Sequence, residues 1–169
     1  INDETLVTGW SDGGVRGFDA HNGDQIWHLT TAHRGTVTAS CTTPTMIATG
    51  GEDGAVRLWS AANRELLTQF TEHSKAVSGL CVDETQPHLL HSCGLDNSTV
   101  TMDIKKERRD GYHMMKGTVF HCISQRKDSE TELVTGNADG TIMFWDADES
   151  TPVIVWQHPS KERIRAVEV

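Results

Sequence analysis

The stretch Met46-Ile47-Ala48-Thr49-Gly50-Gly51-Glu52-Asp53-Gly54-Ala55-Val56-Arg57-Leu58-Trp59-Ser60 reads as two short apolar strands around a tight turn. Asp-Gly favours the positive-φ turns that join hairpin strands, so Asp53-Gly54 is predicted to be a hairpin tip. The same pattern recurs at Gly9-Trp10-Ser11-Asp12-Gly13, Cys93-Gly94-Leu95-Asp96-Asn97 and Gly136-Asn137-Ala138-Asp139-Gly140, and aligning the four Asp residues gives spacings of 41, 43 and 43. An apolar strand precedes each tip: Leu6 to Thr8, Met46 to Thr49, Leu89 to Ser92 and Leu133 to Thr135. Another follows it: Val15 to Asp19, Val56 to Ser60, Thr99 to Asp103 and Ile142 to Asp146. Each of these places a large residue six positions after the turn Asp, namely Phe18, Trp59, Met102 and Trp145.

Further strands are expected around Gln25 to Leu29, Val37 to Cys41, Glu65 to Phe70, Val77 to Val82, Val119 to Ile123 and Val153 to Gln157, with a last one over Ile164 to Val169. Four short strands per period, with no helical pattern between them, predict an all-β chain of about four four-stranded β-propeller blades, sixteen strands in all. The expected segments are 4–30 (the second to fourth strands of a blade), 31–72, 73–114, 115–157, and 158–169 as the first strand of a further blade.

Bulk properties narrow the function. Apolar residues, 36% of the chain, are spread along its whole length, as a packed domain requires. A net charge of −9 argues against a phosphate-backbone binder, because nucleic-acid affinity comes mainly from Lys and Arg; no nucleic-acid partner is expected, and a basic protein surface fits better. No apolar run approaches the roughly 18–20 residues of a bilayer-spanning helix, so no membrane partner is expected. Cys41, Cys81, Cys93 and Cys122 lack paired C-x-x-C spacing and read as reduced thiols. His88 and His91 near Asp96 make no closed ligand set, because strand alternation separates neighbours; no metal and no cofactor is expected.

Over its whole length the chain resembles the WD-repeat family, since four copies keep one register. In that family a His before the first strand, a Ser or Thr on the second, the turn Asp and the Trp of the third form a hydrogen-bonded tetrad. The resemblance implies a complete set in His33, Thr49, Asp53 and Trp59. His73, Ser92 and Asp96 end instead on Met102, which has no indole donor, and Thr135, Asp139 and Trp145 face Met115 where His belongs. Thr8 and Asp12 are followed by Phe18, and His158 begins a fifth copy. The third and fourth blades are therefore expected to rely more on packing than on the tetrad. Because the His, hydroxyl and Asp set repeats with the fold, whereas a catalytic triad is normally unique, these residues are read as structural and the chain as no enzyme.

Leu6 to Gly13, Ala32-His33-Arg34 and Gly50 to Gly54 are also similar to the WD-repeat cilia- and flagella-associated proteins of doublet microtubules. That likeness implies a protein-interaction scaffold in the cytoplasm, at the axoneme of cilia or flagella, with tubulin or axonemal proteins as partners. The one basic cluster, Lys105, Lys106, Arg108 and Arg109, is expected on a loop, and reads either as a solvated surface or as a dock for an acidic tail or phosphate; the likeness makes it one candidate contact for acidic tubulin tails. Trp10 and Trp27 lie outside the tetrad positions and are read either as exposed binding aromatics or as packing between blades. The alternative function is a substrate receptor of a cullin-type ubiquitin ligase, with a propeller enzyme behind it. Such receptors often carry Arg two residues after the WD-type Asp; Asp103-Ile104-Lys105 offers Lys, while Asp146-Ala147-Asp148 and Asp19-Ala20-His21 do not match. A ring of this family usually has seven or eight blades, so the four repeats are read as a partial ring or half of a larger propeller. They would belong to a longer polypeptide or to a homodimer that completes the ring; light scattering decides between them.

Overall fold

The computed structural model of the chain describes residues 5–125, 132–146 and 151–168. Residue 4 of the expected 4–30 segment, residues 126–131 and 147–150 of the 115–157 segment, and Val169 of the 158–169 segment lie outside the described residues. Every regular element among the described residues is a strand, so none is a helix long and apolar enough to cross a membrane. In chain order these are β1 (Thr5–Gly9), β2 (Val15–Asp19), β3 (Gln25–Leu29), β4 (Val37–Thr42), β5 (Met46–Gly51), β6 (Val56–Ser60), β7 (Leu66–Phe70) and β8 (Val77–Val82). They continue as β9 (Leu89–Gly94), β10 (Ser98–Asp103), β11 (Arg108–Met114), β12 (Phe120–Gln125), β13 (Glu132–Asn137), β14 (Thr141–Asp146) and β15 (Ile154–Gln157).

The strands form one three-stranded sheet, β1-β2-β3, and three four-stranded sheets, β4 to β7, β8 to β11 and β12 to β15, in which chain neighbours are ladder neighbours. The all-β expectation of repeated blade-like sheets is met. At the tips Gly13, Gly54, Asn97 and Gly140 have φ of 79°, 75°, 69° and 79°, the left-handed region that Gly and Asn tolerate best. Each tip Asp then accepts the N–H two residues on: Gly14 on Asp12, Ala55 on Asp53, Ser98 on Asp96 and Thr141 on Asp139, at 2.9–3.2 Å.

The chain divides into two compact units, Ile1–Val77 and Ser78–Val169. In the first, Val37 N–H donates to the Trp10 carbonyl at 3.0 Å, and Val37 packs so tightly on Gly9 that a Cβ there would stand 2.5 Å from its Cγ1. The core between these two sheets is Val15, Ala32, Val37, Ile47 and Trp59, with Val7, Trp27 and Leu29 at its border. In the second unit Cys93, Phe120, Ile123, Leu133, Met143 and Trp145 cluster with Cys81 and Met115, and Phe120 meets Trp145 edge-on at 5.7 Å.

Two elements differ from the sequence reading. Arg108 and Arg109, expected on a loop, open β11, the fourth strand of the third sheet, which has no apolar pattern to announce it. Residues 164–168, expected as a strand, form no ladder among the described residues. Their entry nevertheless repeats that of the second blade. His158 N–H donates to the Gly140 carbonyl as His33 N–H does to Gly13, and Ile164 N–H donates to the Asn137 carbonyl as Val37 N–H does to Trp10.

Candidate functional site

The densest polar site in the first unit sits at the tip of the second blade. Trp59 Nε1 donates to Thr49 Oγ1 at 2.9 Å, Thr49 Oγ1 lies 2.8 Å from His33 Nε2, and His33 Nδ1 lies 2.9 Å from Asp53 Oδ1. His33 Nδ1 also lies 2.7 Å from Arg57 Nη1, which can only donate, so the ring tautomer is set by two competing contacts: a proton on Nδ1 serves Asp53 and lets Thr49 donate to Nε2, and a proton on Nε2 leaves Nδ1 to accept from Arg57. Asp53 also accepts the Ala55 and Arg34 backbone N–H groups at 3.2 and 3.1 Å and an Arg57 guanidinium N–H at 2.8 Å. Burial pushes this carboxyl up; Arg57, His33 and the backbone donors outweigh it and hold it well below the usual carboxylate range. Burial lowers His33, against the pull of Asp53, so the imidazole is neutral at pH 7. The site is a closed hydrogen-bond chain with the carboxylate at one end and an indole at the other.

The other copies are built from different parts. In the fourth blade Trp145 Nε1 donates to Thr135 Oγ1 at 2.9 Å, and Asp139 accepts the Thr141 hydroxyl at 2.6 Å. In the first, Thr8 Oγ1 receives the Trp10 indole N–H at 2.8 Å, and Asp12 pairs with Arg16, which stacks on the Trp10 ring at 4.4 Å. In the third, Ser92 and Met102 are fully buried, Ser92 Oγ donates to the Val100 carbonyl at 3.3 Å, and Asp96 accepts the Ser98 hydroxyl at 2.7 Å. His73 is 6% exposed.

The third blade holds a second network that the sequence reading missed. Asp83, 1% exposed, accepts Thr85 N–H, the Thr85 hydroxyl and Gln86 N–H at 2.7–2.8 Å and faces His91 Nε2 at 3.4 Å. His91 Nδ1 meets Thr101 Oγ1 at 2.9 Å, and Gln125 of β12 accepts the Glu84 N–H at 3.0 Å. Burial raises Asp83, and His91, Thr85, Gln86 and Gln125 together bring it well below the usual range. His91 therefore meets Asp83, not Asp96, and no group of three or more His, Cys, Asp or Glu among the described residues has the geometry of a metal site. A signal existed in the sequence: the cross-strand pair Ala48 and Leu58 of the second blade becomes His91 and Thr101 in the third, two apolar positions turned polar together.

The basic cluster is less free than its sequence suggests. Lys106 Nζ pairs with Asp103 at 2.8 Å, which holds that carboxyl at about 2, and the Arg109 guanidinium stacks over Tyr112 at 5.2 Å. Lys105 and Arg108 are exposed. Trp27 lies across Gly17, where a Cβ would stand 2.1 Å from its ring, so it packs inside its own sheet and onto the core; Trp10 is 44% exposed. A groove of about 470 Å³ is lined by Arg34, Arg57, Trp59 and Leu66 among others. The four cysteines are free thiols, and burial pushes Cys93 up to about 12.

A family model of the WD domain, G-beta repeat, matches residues 14–60, 64–100 and 113–146, spans that carry the second, third and fourth tips. This chain belongs to the WD-repeat family. Its sheets are the blades of a partial β-propeller. Among relatives of this WD-repeat chain, cilia- and flagella-associated protein 52 of Sus scrofa is 27% identical over 147 residues, 85% of this chain and 23% of the relative. The Homo sapiens protein of the same name is 25% identical over 154 residues, 89% of this chain and 24% of its own length. The WD repeat-containing protein 55 homolog of Dictyostelium discoideum is 21% identical over 141 residues, 83% of this chain and 34% of its own. The chain thus spans about a quarter of the ciliary relatives it matches.

Proposed function

We propose that the chain is a protein-interaction scaffold of cilia or flagella that contacts acidic axonemal partners, such as tubulin tails, through Lys105 and Arg108. The observation that carries this reading is the likeness to cilia- and flagella-associated protein 52 across 85% of the chain. The polar chemistry is consistent with a scaffold role. The His33 and Asp83 networks lie inside their blades and are each paired internally, whereas residues 105–110 at the β10–β11 turn (Lys105, Lys106, Glu107, Arg108, Arg109 and Asp110) and Tyr112 are exposed. With Lys106 paired to Asp103 and the Arg109 guanidinium stacked over Tyr112, Lys105 and Arg108 are the cations assigned to the contact, an attraction screened by salt because both are exposed.

Cosedimentation with microtubules tests it, using the chain and the double variant Lys105→Glu/Arg108→Glu. The chain is expected to pellet at low salt, and the variant to lose most of that binding; microtubules stripped of their acidic tails should behave like the variant. Equal pelleting of both proteins would remove the basic turn from the reading. Capture of cullin adaptors in place of tubulin or axonemal proteins would replace the reading itself.

A further inference from the structure

In the second blade the residue after the strand glycine is Gly51, and its missing side chain is filled by a histidine: a Cβ on Gly51 would stand 2.2 Å from His33 Nδ1. The tip register gives the same position to Asn137 in the fourth blade, because Gly54 N–H bonds to Gly51 and Gly140 N–H to Asn137 in the same turn. The residue entering opposite is His33 in one blade and Met115 in the other, each with its N–H on the residue after the preceding tip Asp, Gly13 and Asn97 respectively. Asn137 is fully buried. Its Nδ2 donates to Thr141 Oγ1 at 2.8 Å, and that hydroxyl donates to Asp139 at 2.6 Å. The tip carboxylate of the fourth blade is thereby tied to β13 through an amide and a hydroxyl, where the second blade uses an imidazole.

The geometry points to Asn137, backed by Thr141, as the fourth blade's replacement for the missing histidine. Met115 with Asn137 is a matched pair equivalent to His33 with Gly51, and neither member fits the other pair. An imidazole at position 115 would enter the space that the Asn137 amide holds. A glycine at 137 beside Met115 would leave the Thr141 hydroxyl without its amide donor and open a void. Trp10 holds the same position in the first blade, where its indole N–H supplies Thr8 with the donor that Phe18 lacks.

A swap cycle tests the pairing. Met115→His and Asn137→Gly are each expected to lower the melting temperature by several degrees, and the double variant to recover most of the loss, a coupling that unrelated sites do not show. The Trp145 indole N–H, bonded to Thr135, gives a second readout: its exchange with solvent should accelerate in both single variants and return toward that of the parent in the double. The reverse swap, Gly51→Asn with and without His33→Met, repeats the cycle in the other blade if a single variant fails to fold. Additive losses in both cycles, or a Met115→His variant as stable as the parent, would overturn the pairing.

Discussion

The second and third blades have the same strand register but place their buried polar groups at different ends of the sheet. In the second, the tip end carries His33, Thr49, Asp53 and Trp59, and the cross-strand pair deeper in is the apolar Ala48 and Leu58. In the third, that pair is His91 and Thr101, joined to Asp83 at the end away from the tip, and Met102 stands where Trp59 does. Pairing register alone therefore does not dictate where a blade buries its polar groups. Each polar group buried without its partner costs about 1–3 kcal/mol, more if charged, so the residues of one network must change together.

The largest effect that sharpens this contrast is removal of the indole. Trp59→Ala deletes a large buried side chain and the Thr49 donor, and is expected to cost about 3–5 kcal/mol in a chemical-denaturation curve. Phe at the same position keeps most of the burial and should lose only the hydrogen bond, about 0.5–1.5 kcal/mol. A loss from Trp59→Phe as large as that from Trp59→Ala would show that the donor, not burial, carries the site.

Next in size is the third blade's own network. His91→Ala leaves Asp83 short of one partner and Thr101 short of another, for about 1–3 kcal/mol. Thr43 follows β4 as Asp83 follows β8, so Asp83→Thr/His91→Ala/Thr101→Leu copies the second blade, removes the Asp83–His91–Thr101 network at once and should recover much of that loss. A triple variant less stable than His91→Ala would break the comparison, because the two arrangements would then not be interchangeable.

The smallest effect is in pH. His33 is held below its ordinary value, so its contribution is complete above about pH 6.5 and fades as pH falls through the folded-state value. Asp53 is also held low, and its contribution is present above about pH 3.8 and is lost only in stronger acid. Stability should therefore decline on acidification in two stages, and His33→Ala should flatten the first in melts recorded between about pH 4 and 7. An unchanged slope in that variant would place the titrating group elsewhere.

Much of this organisation is legible in the sequence, for physical reasons that also mark where reading stops. The four tips announce themselves because only a few residues tolerate positive φ after an Asp that caps its own turn. β11 does not: Arg108-Arg109-Asp110-Gly111 is the outermost strand of its sheet, and its mostly exposed side chains show no apolar alternation. The His33 network is what the family resemblance implies, and its members lie at hydrogen-bond distance in the order Trp59–Thr49–His33–Asp53. Asp83 with Gln125 does not follow, because their 42-residue separation is bridged only by folding. The basic cluster was visible as charge, whereas the Asp103 pairing that removes Lys106 from it required a turn whose Glu107 has φ of 50°.

Residue-resolved hydrogen exchange on the parent, His33→Ala and Asp83→Asn tests the central claim most directly: each blade is anchored by its own polar network. His33→Ala is expected to speed exchange chiefly in β4 to β7, and Asp83→Asn chiefly in β8 to β10 and at the end of β12, where Gln125 sits. Uniform acceleration across all strands in both variants would contradict it.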